Sequence, residues 1–324
     1  MADQRGVGVL SAAVLALVLG GSVARAGVIV NDTWQDATRN DPASTYSENG
    51  TDSDGDGNIE SAWFGTSGQL SVSSGHLTMT QPAGSASYTT YFTPATSPIT
   101  LATAGDQLKI TWVFTPNGVN SASTGQGFRL AVVDWPESGT GSLARQTADG
   151  NPGSAAYTGY ALFGNMRTGT LGNGNSFQLL KRTDPTTASA LLSASASWTA
   201  TDLTNSTVNN TSTPGYTDGA QLTFVMTFTR NAANGLDITA TMTGAGLGAN
   251  NQGFLFQSAT DANPASFTFD TFTLRPSTAA DTATTFDTTL FKVETSTTAP
   301  VPEPASLGVL ALGGLALLMR RRRA

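Results

Sequence analysis

From Leu108 the chain reads Leu108-Lys109-Ile110-Thr111-Trp112, apolar at every second position, and continues Val113-Phe114 to a turn signal at Pro116-Asn117-Gly118. Successive side chains of a strand point to opposite faces, so this period predicts a strand with one buried and one wet face. The same alternation recurs at Leu222-Thr223-Phe224-Val225-Met226-Thr227-Phe228 and at Leu236-Asp237-Ile238-Thr239-Ala240-Thr241-Met242. Shorter matches are Leu77-Thr78-Met79, Phe128 to Val132, Phe267-Thr268-Phe269, Phe272-Thr273-Leu274 and Leu290 to Val293, the expected last strand. Threonine on the wet positions suits a pleated surface. No long stretch between the two ends keeps a helical period.

Many short strands over about 270 residues, separated by Asn-Gly, Ser-Gly and Pro-containing turns, predict an all-β, two-sheet antiparallel sandwich of jelly-roll type over residues 27–294. No internal repeat points to a propeller or solenoid. The chain has no cysteine, so this core rests on packing without disulfides. Only three lysines occur, Lys109, Lys181 and Lys292. The chain carries a formal charge of -7, and residues 27–300 alone, with 10 Lys+Arg against 21 Asp+Glu, carry 10 − 21 = -11. Nucleic acid is excluded as a partner by that balance, since binding there rests on basic residues neutralising phosphates.

Both ends read as addresses. Residues 1–26 hold a basic head at Arg5, an apolar run from Val7 to Gly20, and Ala24-Arg25-Ala26 as an A-x-A exit. This predicts a signal helix removed by signal peptidase after Ala26. At the other end, residues 295–300 form a polar tether, followed in 301–324 by Val301-Pro302-Glu303-Pro304, an apolar run from Ala305 to Met319, and Arg320-Arg321-Arg322-Arg323. The run predicts a short membrane helix whose arginines stay on the cytoplasmic side. The ordered trio of Pro302-Glu303-Pro304, a helix containing Gly308, Gly313 and Gly314, and four arginines resembles the PEP-CTERM sorting tail. The resemblance implies a Gram-negative exopolysaccharide producer in which an exosortase cuts the tail. The protein would be anchored in the inner membrane first, then released or attached at the cell surface or in the extracellular matrix.

Phe269-Asp270-Thr271-Phe272-Thr273-Leu274 and Gly105-Asp106-Gln107-Leu108 also resemble segments of concanavalin-A-like and laminin-G-like jelly rolls, many of which bind glycans or peptides. That likeness transfers no binding residue.

The sharpest chemical motif is Asp52-Ser53-Asp54-Gly55-Asp56-Gly57-Asn58-Ile59-Glu60. Carboxylates two residues apart converge on one point around a glycine bend, and hard oxygen ligands suit calcium. Asp52, Asp54, Asp56, Asn58 (through its carbonyl) and Glu60 are the candidate ligands. The twelfth position holds Trp63 in place of a bidentate Glu, so the loop departs from an EF-hand, and Glu60, Glu48 or a distant carboxylate is the expected substitute. The competing reading is a solvated acidic turn.

Catalytic signals are sparse. His76 is the only histidine and there is no Cys, which leaves neither a zinc set nor a nucleophile elbow. It reads as a surface strand residue. Glycoside hydrolysis needs two carboxylates in fixed relation. The body offers only Glu48, Glu60, Glu137 and Glu294 among glutamates, and no spacing advertises a pair. Trp34, Trp63 and Trp135, with Tyr88, Tyr91, Tyr157 and Tyr160, serve either as sugar platforms or as core, and burial demand favours core. No catalytic residue is assigned. The reading is a structural or glycan-associated exported protein, with a secreted carbohydrate-active enzyme and a protein-binding adhesin as alternatives and exopolysaccharide as the expected partner.

Overall fold

A computed structural model describes residues 25–39, 47–139, 141–171, 176–193, 195–208, 214–247 and 253–297. The predicted signal helix up to Ala24, residues 298–300 of the tether, and the whole of 301–324 lie outside the described residues. No helix among the described residues is long and apolar enough to cross a membrane.

The strands in chain order are β1 (Arg25–Asp32), β2 (Trp63–Gly65), β3 (Leu70–Ser73), β4 (His76–Thr80), β5 (Tyr88–Tyr91), β6 (Ile99–Thr100) and β7 (Gln107–Asn117). Then come β8 (Phe128–Asp134), β9 (Ser154–Ala155), β10 (Thr158–Gly164), β11 (Phe177–Arg182), β12 (Ser189–Ala190), β13 (Trp198–Thr199) and β14 (Leu203–Val208). The last are β15 (Leu222–Arg230), β16 (Leu236–Gly244), β17 (Phe254–Asp261), β18 (Thr268–Phe269), β19 (Thr271–Leu274) and β20 (Thr285–Thr297). Nine strands form one sheet in the order β14-β17-β16-β15-β7-β20-β4-β3, with β1 as a further partner of β20. Seven form the second, in the order β13-β11-β10-β8-β19-β5-β2. The ladders are antiparallel, as expected for a sandwich.

The two sheets share one core. Ile110, Trp112 and Phe114 of β7 and Met226 and Phe228 of β15 meet Phe128, Leu130 and Val132 of β8 and Phe272 of β19. Trp112 stacks on Phe114 at 3.8 Å between centroids, and its indole N–H donates to Thr288 Oγ1 at 3.0 Å. Burying each such ring stabilises the fold by roughly 1.5–3 kcal/mol. The larger sheet keeps its other face in water, which is why β7, β15 and β16 show strict alternation of burial.

The smaller sheet is buried on both faces. A second cluster, with Tyr91, Val133, Trp135, Tyr157, Phe163, Leu191 and Trp198, covers its outer side. Burial is therefore nearly continuous along β5, β8, β10, β11 and β19. Strands of that kind read as apolar runs without period.

Some boundaries differ from the sequence reading. β7 continues through Pro116 to Asn117, past the expected turn. Its pairing with β15 ends at Phe114, so Pro116 pairs only with β20, the edge-like setting in which a strand proline is tolerated. β20 begins at Thr285 rather than Leu290. Its register shifts between Thr288 and Leu290, and that irregularity interrupts the period. β20 also runs to Thr297, so Thr295, Ser296 and Thr297 of the expected tether are strand. They pair with Gly27, Ala26 and Arg25 of β1, so the last two residues of the expected signal helix, Arg25 and Ala26, are strand, held by the ladder to β20. The two ends of the body therefore leave it side by side.

Candidate functional site

The acidic loop hangs between β1 and β2. An isolated bridge joins Asn31 to Ile59, with Asn31 N–H donating to the Ile59 carbonyl at 2.9 Å. Beyond it the chain folds back on its own carboxylates. Asp52 accepts the N–H groups of Gly55 at 2.6 Å and Gly57 at 3.0 Å. Asp54 accepts the Asp56 N–H at 3.1 Å, and Asp56 accepts the Asn58 N–H at 2.7 Å. Gly55 and Gly57 have φ of 83° and 96°, a region that favours glycine.

Asp52, Asp54 and Asp56 are exposed, and each presents one carboxylate oxygen within 4.8 Å of the others. Three of the five sequence-predicted ligands are thus brought together. For Asn58 the expected ligand is the backbone carbonyl, and its side chain is tied into the loop. Its Oδ1 accepts from Thr33 Oγ1 at 2.8 Å and its Nδ2 donates to Asp56 at 3.1 Å. Glu60 is buried and stands outside the group formed by the three aspartates.

Glu60 instead neighbours Glu48. Glu48 Oε2 accepts the Glu60 backbone N–H at 2.9 Å, and Oε1 accepts the Ser53 N–H at 2.7 Å. Both Glu60 carboxyl oxygens are buried, and the polar group they face is the Glu48 carboxyl. Burial first, and the adjoining Glu48 next, push the Glu60 carboxyl up to about 9. Burial acts upward on Glu48 too, but the Glu60 and Ser53 groups outweigh it and hold that carboxyl below its usual value. The neighbouring Asp32 accepts N–H groups from Trp34 at 2.8 Å and Ser61 at 2.9 Å, yet burial still raises it to about 6. No local sequence signal marks this carboxyl pairing, because Glu48 and Glu60 meet only through the fold of the loop.

The remaining candidates lie apart from the loop. His76 opens β4 and is exposed. Glu137 lies 3.5 Å from Arg145, whose guanidinium also holds the buried Asp270 at 2.7 Å. Glu294 sits on β20 between Lys292 at 2.8 Å and Lys109 at 3.3 Å. Burial acts upward on Glu294, and the two ammonium groups outweigh it, lowering its carboxyl. Trp34, Trp63, Trp112, Trp135 and the four named tyrosines are all core. A cavity of about 260 Å³ opens beside the paired ends of the body, lined by Ile29, Thr93, Ser97, Thr100, Gln107 and Thr295 among others, with Asp106 as its one carboxylate.

Residues 300–323 match the PEP-CTERM protein-sorting motif. No curated protein matches the sequence. Among solved structures the chain is similar to the carbohydrate recognition domain of Emp47p, at 14% identity and TM-score 0.41, covering 77% of this chain and 95% of that one. It is also similar to peanut lectin with a nine-residue peptide, at 11% identity and TM-score 0.42, covering 86% and 100%. A third is the alginate lyase Aly36B, at 11% identity and TM-score 0.36, covering 86% and 98%. The chain is thus an all-β antiparallel sandwich carrying a PEP-CTERM sorting motif, the mark of an exported protein processed by an exosortase.

Proposed function

We propose that this chain is a non-enzymatic protein of the cell surface or extracellular matrix, structural or glycan-associated. It would be held at the inner membrane by its C-terminal segment until an exosortase removes it. The observation that carries the reading is the match of residues 300–323 to the sorting motif. The adjacent exits of β1 and β20 fit a body whose two ends are both processed at one membrane. A non-enzymatic role is supported by the body's four glutamates, which are committed to ion pairs or to the pair formed by Glu48 and Glu60, and by the single carboxylate lining the cavity of about 260 Å³. The exposed aspartate triad supports calcium as a structural ion. Asp52, Asp54 and Asp56 would hold it, and it would lock the loop against β1.

Mass spectrometry of the protein secreted by its native host tests the reading. The expected species begins at Gly27 and ends before Ala305. A secreted species that retains Arg320 to Arg323 would overturn the sorting claim.

A further inference from the structure

In a body carrying 21 acidic residues against 10 basic ones, a guanidinium has many carboxylates to choose from. Arg39, Arg145, Lys109, Lys181 and Lys292 all take one. Arg129, Arg167, Arg182, Arg230 and Arg275 take none among the described residues, and of these Arg129 and Arg275 stand together at paired strands. Arg129 is on β8 and Arg275 directly follows β19, with the Arg275 backbone N–H donating to the Arg129 carbonyl at 2.8 Å. Like charges opposite one another on neighbouring strands destabilise a sheet. Both arginines are half-buried, and burial lowers both. For Arg129 the charge of Arg275 adds to the lowering, and Asp281 acts against it. One oxygen of the Asp281 carboxylate, Oδ2, accepts from the hydroxyls of Ser277 and Thr278 at 2.8 and 3.0 Å.

The two side chains line a cavity of about 100 Å³ with Ser85, Leu192, Ser193 and Ser277. Leu192 has φ of 57°, a left-handed backbone that costs a branched-chain residue strain. That segment places two successive carbonyls on the arginines. Leu191 accepts from Arg275 Nη1 at 3.1 Å and Leu192 from Arg129 Nη1 at 3.4 Å. Arg129 also donates from Nε to Gln126 at 3.0 Å and lies 4.9 Å from the Phe163 centroid. Each guanidinium is thereby fixed in orientation while other N–H donors remain for a ligand. Planar forks of this kind match a carboxylate bidentately.

We propose that this cavity is an anion subsite that takes the carboxylate of an acidic sugar in a surface or matrix polysaccharide. The cavity admits a carboxylate-sized group and leaves the ring outside, where the exposed Ser85 and Ser193 meet sugar hydroxyls. The bound anion neutralises the cross-strand repulsion. This assignment rests on the glycan-associated reading above.

Calorimetric titration of the full-length chain tests it, with trigalacturonate, neutral galactotriose and sodium sulfate, repeated on Arg275→Gln and Arg129→Gln. The expected result is binding of trigalacturonate alone among the sugars, weakened at least tenfold in either variant. Melting temperatures of the variants should equal or exceed that of the wild type, because each removes one of two like charges. Trigalacturonate binding unchanged in both variants overturns the subsite and leaves the glycan reading standing. Sulfate binding without trigalacturonate binding overturns the acidic-sugar assignment, and equal binding of galactotriose and trigalacturonate overturns the role of the carboxylate. Absence of any binding overturns the subsite, and the glycan reading is then judged separately by an array of neutral polysaccharides.

Discussion

Glu60 follows the bridge between Asn31 and Ile59 directly, and its carboxyl is buried beside that of Glu48. Its value of about 9 in the fold compares with 4.5 in an unfolded chain. Between those values the folded state keeps a proton that the unfolded state releases, so stability falls as pH rises. Asp32, raised to about 6, and Asp270, raised to about 7 by burial against the pull of Arg145, act in the same direction at lower pH. The melting temperature should therefore fall steadily from pH about 5 to 9. Glu60→Gln should melt higher than wild type at pH about 8 and lose much of that slope; an unchanged slope would mean another group carries it. The loop aspartates behave differently because they are exposed and converge. Calcium bound only to the folded loop stabilises by about 2.7 kcal/mol at a hundredfold excess over its dissociation constant. Extracellular-type sites need roughly millimolar calcium. Wild type should melt higher in calcium than in chelator, and Asp54→Ala should abolish the difference; identical wild-type melting in the two would leave a solvated acidic turn.

At the scale of elements, the two sheets differ in what covers them. β8 and β10 lie in the sheet that is buried on both sides, and their backbones approach closely at Gly159. Its φ is 139°, and a Cβ there would lie 2.4 Å from the Val132 carbonyl oxygen and 2.7 Å from the Val133 Cα. Neither backbone atom can move without breaking the ladder between Val132 and Tyr160. Gly159→Ala should therefore destabilise by roughly 2–4 kcal/mol, read as a shift in the denaturant midpoint. Gly55 shows the contrast, since a Cβ there meets nothing within 4 Å and only its φ of 83° resists substitution. Gly55→Ala should cost about 1 kcal/mol or less. Equal losses at the two sites would show that the close approach of β8 to β10 does not set the cost.

For the whole molecule, the order of the larger sheet decides when folding can finish. β20 lies between β7 on one side and β4 and β1 on the other. The last strand is therefore central, and the first strand pairs with it. Such long-range pairing is slow, because loop closure must precede the contacts that reward it. A chain ending before Thr285 should not fold, since β7 and β4 lose a shared neighbour and Phe286, Phe291 and Val293 leave the core. A chain spanning 27–298 should keep the far-UV sheet spectrum and melting temperature of the full body. Cooperative melting of the shorter chain would contradict the central place of β20.

The sequence by itself determined the strands with one wet face and the C-terminal sorting motif. Alternation in β7, β15 and β16 is written by water on one side, and the Pro302-Glu303-Pro304 tail is a linear motif read along the chain. It also showed that Asp52, Asp54 and Asp56 converge, because a tight loop makes neighbours of residues close in sequence. Tertiary structure alone decided the rest. β10 and β11 carry no clear alternation because segments distant in sequence cover their outer face. Glu60 is buried beside Glu48, and the raised pKa of its carboxyl comes from that burial, which no spacing along the chain records. Arg129 and Arg275 are far apart in the sequence and become neighbours only when β19 docks on β8. A charge left without a partner is a property of what surrounds it, and no period or spacing along the chain records that.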